Sequence, residues 1–188
     1  MLPSDVYLVS QFDCFRRGLT PGATPSDHHF AMPLSKIISG AQTGIDRGAL
    51  DAALAFGFPC GGACPQDRVA EDGRIPDRYP VIEMDAGKYR ARTIQNVLDS
   101  DGTLIIYFSA LSGGTEQTVA HCIKKRKPYQ LIDAIEITES RAAELTSRFI
   151  EVHQISTLNV ADPRASQRAN GQSYAFNVVA AVIRQIKP

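Results

Sequence analysis

From Leu34 onward, apolar residues recur in two alternating patterns. Short continuous runs read as strands, and stretches with a 3.6-residue period read as helices. Lys36-Ile37-Ile38-Ser39 is the first strand and leads straight into Gly40-Ala41-Gln42-Thr43-Gly44. A helix is predicted from Ile45 to about Phe56, with Ile45, Ala49, Ala53 and Phe56 on one face. Small and apolar residues also fill its opposite side, so it is expected to be covered on two faces. Gly57 stands where a C-terminal cap belongs. Residues 59–87 hold four prolines, four glycines and many charges, and read as a long ordered loop. Loops of that length are often functional.

A second helix is expected over Tyr89–Asp99, with Ile94, Val97 and Leu98 inward. Thr103–Phe108 is a continuous apolar run, the signature of a strand buried on both faces, as in parallel sheets. Ser112-Gly113-Gly114-Thr115 follows, then a helix from about Glu116 to Lys125 with Val119, Cys122 and Ile123 inside. Tyr129–Ile132 is the third strand. Thr138–Phe149 is a helix with Thr138 as N-cap. Thr157–Val160 is the fourth strand, and Tyr174–Ile186 the last helix. Alternation of strands and helices predicts an α/β fold with a mainly parallel sheet flanked by helices. Residues 1–33 lack either period and are rich in turn formers, so they are expected to be an arm and linker before a single domain over 34–188.

Composition narrows the function. The apolar fraction is 44% and the charged fraction 21%, which is ordinary for a globular domain. Twenty basic and twenty acidic residues give no net charge, so no global field recruits nucleic acid or an anionic membrane. Lys124-Lys125-Arg126-Lys127 reads as cations complementing a helix C-terminus. No apolar run has the ~18 residues of a membrane span. The N-terminus lacks the basic start of a signal peptide, so a cytoplasmic protein with reduced thiols is expected. Cys60 and Cys64 are four apart, but no second ligand pair at matching spacing makes them a zinc site. No metal ligand set and no catalytic set emerges from spacing alone.

Two strand-to-helix junctions carry the candidate chemistry. Gly40, Gln42, Thr43 and Gly44 form the first, followed by Asp46 and Arg47; Ser112, Gly113, Gly114 and Thr115 form the second, followed by Glu116. Glycine lets backbone N–H groups face a ligand, and the helix behind adds unsatisfied N–H groups and partial positive charge. A phosphate fits such a place. Neither loop has dinucleotide or Walker A spacing. In the 59–87 loop, Arg68 and Arg74 flank Glu71 and Asp72. Guanidinium forks clamp phosphate, and a carboxylate pairs with the N–H edge of a purine or pterin. The same alternation of charge also suits a solvated surface loop.

Several motifs in order resemble the putative molybdenum carrier family: Ser39–Arg47 with Ala49-Leu50-Asp51, Cys60-Gly61-Gly62, Cys64-Pro65, Ala70–Pro76, Arg92-Thr93, Asn96-Val97, Asp99–Thr103, Leu111–Thr115, Leu158–Ala161 and Pro163-Arg164. The match spans about residues 36–186. The resemblance implies a Rossmann-like three-layer fold and a homo-oligomer, dimer or tetramer. It also implies binding of molybdenum cofactor, a phosphate-bearing pterin whose dithiolene holds the metal. Its candidate binding residues here are Gly40, Gln42, Thr43, Gly44, Asp46, Arg47, Arg68, Glu71, Asp72, Arg74, Arg92, Ser112, Gly113, Gly114, Thr115 and Glu116. Two positions depart from the family pattern, where glycine is expected: Ala41 and Asp162. An alternative remains open, because Gly113-Gly114-Thr115-Glu116 resembles a shortened form of the loop and acid of nucleoside-monophosphate phosphoribohydrolases. That reading gives an enzyme acting on a nucleotide-like molecule, or a nucleotide-binding sensor, rather than a carrier.

Overall fold

The computed structural model describes residues 34–84, 89–109, 113–161 and 170–186. In chain order the elements are β1 (Lys36–Ile38), α1 (Ile45–Ala55), β2 (Cys60–Gly61), β3 (Ala63–Cys64), β4 (Val69–Ala70), β5 (Gly73–Arg74), β6 (Ile82–Glu83), α2 (Tyr89–Asp99), β7 (Gly102–Tyr107), α3 (Gly114–Lys125), β8 (Tyr129–Asp133), α4 (Glu139–His153), β9 (Thr157–Ala161) and α5 (Gly171–Ile186). Five strands form one sheet in the order β2-β1-β9-β7-β8. Every pairing in it is parallel. The architecture is the expected Rossmann-like three-layer α/β fold.

The last strand in sequence, β9, lies at the centre of this sheet. Counting strands from β9 rather than from the N-terminus gives the order 3-2-1-4-5, that of a doubly wound nucleotide-binding sheet. The direction of winding reverses between β9 and β7. Ligands in such sheets bind beyond the carboxyl ends of the strands at that reversal. The loop after β7 starts at this reversal, and the loop after β1 starts one strand beyond it, on the far side of β9. With strands about 4.8 Å apart, β9 holds their starting points about 10 Å from each other.

The sheet's alternation divides the core. Ile37, Leu104, Ile106, Ile132, Leu158 and Val160 face one layer, where they pack with α1, α4 and α5. Thr103 and Asn159 face the other way and are buried, with Asn159 Nδ2 3.3 Å from Thr103 Oγ1. Helix α1 is covered on both sides, as its composition predicts. Ile45, Ala49 and Ala53 belong to the main core. Leu50 belongs to a second cluster with Ala41, Cys64, Ala70, Ile75, Tyr79 and Val81.

Local signals hold at the helix ends. Gly57 N–H donates to Leu54 O and Phe58 N–H to Ala53 O, a left-handed closure of α1. Thr138 Oγ1 accepts from Arg141 N–H at the start of α4. In the basic run, Lys127 Nζ donates to Ser100 O at 2.6 Å and Arg126 caps α3 in a left-handed conformation. Three expectations are corrected. Residues 59–87 are not one loop, because they contain β2 to β6, and β2 extends the main sheet. Leu98 and Ile123, expected inward, are 40% and 60% exposed. Helix α4 continues a turn past Phe149, to His153.

Candidate functional site

The loop after β1 is closed by its own side chains. Asp46, the second residue of α1, accepts a hydrogen bond from Gln42 N–H at 3.2 Å. Arg92 reaches it from α2, Nη1 to Oδ2 3.6 Å, and both side chains are about nine-tenths buried. The pair lies against Gly40. A Cβ there would stand 1.8 Å from Arg92 Nη1 and 2.8 Å from Asp46 Oδ2, so a larger residue would push the pair aside. Burial pushes the Asp46 carboxyl above its usual range, while the Arg92 charge and the Gln42 amide pull it back. Ser39, fully buried, spends its hydroxyl proton on Val160 O at 2.7 Å.

Ala41 shows why glycine is expected there. Its φ is 58°, the left-handed region, and the residue is fully buried in the second apolar cluster. The methyl group packs there at a conformational cost of about 1 kcal/mol.

A short hairpin, β4 paired antiparallel with β5, is fastened against this loop. Gln42 Nε2 donates to Val69 O at 3.1 Å, and Thr43 Oγ1 lies 3.4 Å from Glu71 Oε2. Arg47 donates Nη1 and Nη2 to the two oxygens of Asp72 at 2.5 and 2.7 Å. That hydrogen-bonded fork holds the Asp72 carboxyl below its usual range. The structure thus gathers Gly40, Gln42, Thr43, Gly44, Asp46, Arg47, Glu71, Asp72 and Arg92 into one cluster.

Arg68 and Arg74 stand apart from it. Arg68 is buried and donates to four main-chain carbonyls: Ile75 and Val81 at 3.1 Å, Pro76 and Tyr79 at 2.9 Å. Four of its five N–H directions thus knit residues 66–81 together. Arg74 is exposed and bonds Asp77 at 2.6 Å.

The second loop has a different character. Gly113 caps α3 with φ 54° and is exposed, and a Cβ there would meet nothing within 4 Å. Gly114 begins the helix, and Thr115 is fully buried with its Oγ1 lacking any hydrogen-bond partner. Glu116 is exposed in the first turn. Ser112 lies outside the described residues. Asp133, which sequence reasoning missed, steers the chain into this loop: its Oδ1 accepts from Ser109 N–H at 3.3 Å, and Ser109 has φ 67°. An acid at the carboxyl end of a strand was the available signal. Asn96 was likewise absent from the candidates. Its amide accepts from Ala63 N–H at 2.7 Å and donates to Ala63 O at 3.1 Å, so α2 grips β3.

Burial pushes the Cys60, Cys64 and Cys122 thiols upward, away from thiolate. No group of three His, Cys, Asp or Glu among the described residues is placed to hold a metal ion. No helix there is long and apolar enough to cross a membrane.

A parallel sheet that reads in doubly wound order only when its last strand is counted first is a permuted nucleotide-binding fold. The model of the circularly permutated YpsA SLOG family matches residues 37–183, and the chain belongs to that family. Among solved structures, it is similar to a protein from Syntrophus aciditrophicus SB described as a putative molybdenum carrier protein. The two are 40% identical with a TM-score of 0.77, over 80% of this chain and 96% of that one. No curated protein matches the chain.

Proposed function

We propose that the chain is a carrier for a phosphate-bearing pterin, the molybdenum cofactor, and that the phosphate rests on the amides of Gly113, Gly114 and Thr115. The observation that carries this reading is the contrast between the two loops. At the first, the Gln42 amide is already satisfied by Asp46. At the second, the N-cap is a glycine facing open space, ahead of a 12-residue helix whose first amides have no intrahelical partner. The unpartnered Thr115 hydroxyl adds a polar group at the same turn. The residues present fit the group's phosphate end, with Gly113–Thr115 holding it. When bound, the cofactor supplies its own dithiolene ligands to the metal, so the chain needs none. Its work is binding and shielding. The proposal includes the cytoplasm and a homo-oligomer, dimer or tetramer, which light scattering reads.

Equilibrium binding of isolated cofactor under anaerobic conditions tests it. Gly114→Val, which sets a branched side chain over the amides, is expected to weaken binding at least tenfold. Wild-type affinity in that variant would remove the assignment. One observation favours a second reading: Glu116 is exposed in the first turn of α3, beside the same amides. There its carboxylate would stabilise an oxocarbenium-like centre of a nucleoside monophosphate. Adenine released from AMP by the wild type and not by Glu116→Gln would favour that enzyme over the carrier.

A further inference from the structure

We infer that Asp46 is an internal counter-anion of the β1–α1 loop, so that the ligand at this end of the sheet places no anionic group there and presents an uncharged part to residues 40–44. The inference rests on the proposed reading that α3 receives the phosphate, and it specifies what the other loop accepts.

Three observations carry it. The Asp46 carboxylate occupies the amide of Gln42, two residues ahead of the Gly44 N-cap of α1, at 3.2 Å. It faces a buried guanidinium, Arg92, which comes from a different helix. And the space that Gly40 leaves is taken by this pair, since both Arg92 Nη1 and Asp46 Oδ2 fall within 3 Å of the missing Cβ. The glycine serves an internal ion pair instead of the approach of a ligand.

The surroundings deepen the exclusion. Ser39 has turned its hydroxyl to Val160 O. Arg47 is committed to Asp72 and to Ala41 O. Glu71 adds a carboxylate at the rim, beside Thr43. Two cations therefore meet three carboxylates around this loop. A second phosphate or carboxylate would enter a poorly screened, net-negative neighbourhood whose cations are already engaged. A ligand that turns a neutral heterocycle toward this loop meets no such conflict.

Inorganic phosphate is the probe, titrated into the full chain by calorimetry and by amide NMR. The wild type is expected to bind one equivalent, moving the amides of Gly113–Thr115 and leaving those of Gln42–Gly44 in place. Asp46→Asn keeps an acceptor for Gln42 N–H and removes the charge; it is expected to bind a second equivalent at Gln42–Gly44. That equivalent should persist in Asp46→Asn/Gly114→Val. Movement of the Gln42–Gly44 amides in the wild type, or no added equivalent in folded Asp46→Asn, would overturn the inference. If Asp46→Asn does not fold, the wild-type spectrum decides by the same criterion. If Gly113–Thr115 never respond while Asp46→Asn gains its equivalent, the phosphate assignment to α3 fails and the role of Asp46 stands.

Discussion

Arg47 grips both carboxylate oxygens of Asp72 while its Nε donates to Ala41 O at 3.2 Å. One side chain thus ties the start of α1 to the glycine loop behind it and to the β4–β5 turn in front. The Arg47 side chain is 9% exposed and that of Asp72 50%. A Lys cannot reproduce the planar fork and has no Nε donor for Ala41. Arg47→Lys is expected to lose about 2 kcal/mol of stability, and Asp72→Asn about 1 kcal/mol, because water already solvates the exposed partner. Urea midpoints compare them; equal losses would mean that Asp72, not the Ala41 bond, dominates the tie.

The two carboxylates at this end give opposite slopes with pH. Asp72 has a folded pKa below its ordinary value near 3.8, so the unfolded chain binds its proton first. Its contribution is present above that value and is lost as pH falls through the folded pKa. Asp46 has a folded pKa above 3.8, so the folded chain binds the proton first. Stability from that group falls as pH rises from 3.8 through the folded pKa. Relative to wild type, Asp72→Asn should converge in stability below about pH 3.8. Asp46→Asn should flatten the decline above it, whatever constant loss the broken Asp46–Arg92 ion pair adds. A pH series of urea midpoints reads both slopes; parallel curves for Asp46→Asn and wild type would show that Asp46 does not titrate there.

Much of this was legible in sequence, and the failures share a cause. Helices such as α2 and strands such as β7 repeat a pattern over six or more residues, and that suffices to place them. Strands β2 to β6 have two residues each, too short for any period to register. Arg68 and Arg92 look alike in sequence, as basic residues among turn formers or polar neighbours. One is consumed by four carbonyls of its own loop and the other faces Asp46 across the fold. Which partner an arginine finds depends on tertiary approach, and sequence spacing does not encode it. The two glycine loops likewise read as equivalent anion sites. Only the fold brings Arg92 over Gly40 and makes Asp46 an occupant of the first.

Gly57 and Gly62 separate backbone strain from collision. Both have positive φ, 55° and 132°. A Cβ on Gly57 would meet nothing within 4 Å, so Gly57→Ala carries conformational strain alone, about 1 kcal/mol. A Cβ on Gly62 would stand 2.1 Å from Ser39 O and 2.8 Å from Ser39 N. These are backbone atoms of the chain just after β1, and they cannot swing aside as a side chain would. Gly62→Ala is expected to cost about 3 kcal/mol or more. It should also shift the Ser39 and Gly40 amide resonances, because the chain that carries the Asp46–Arg92 pair must move. Thermal unfolding of the two variants side by side makes the comparison. At about 2–4 °C per kcal/mol for a chain of this size, Gly62→Ala should melt several degrees below Gly57→Ala. Equal melting temperatures would mean that the Gly62 turn yields freely and that β1 does not fix the glycine loop.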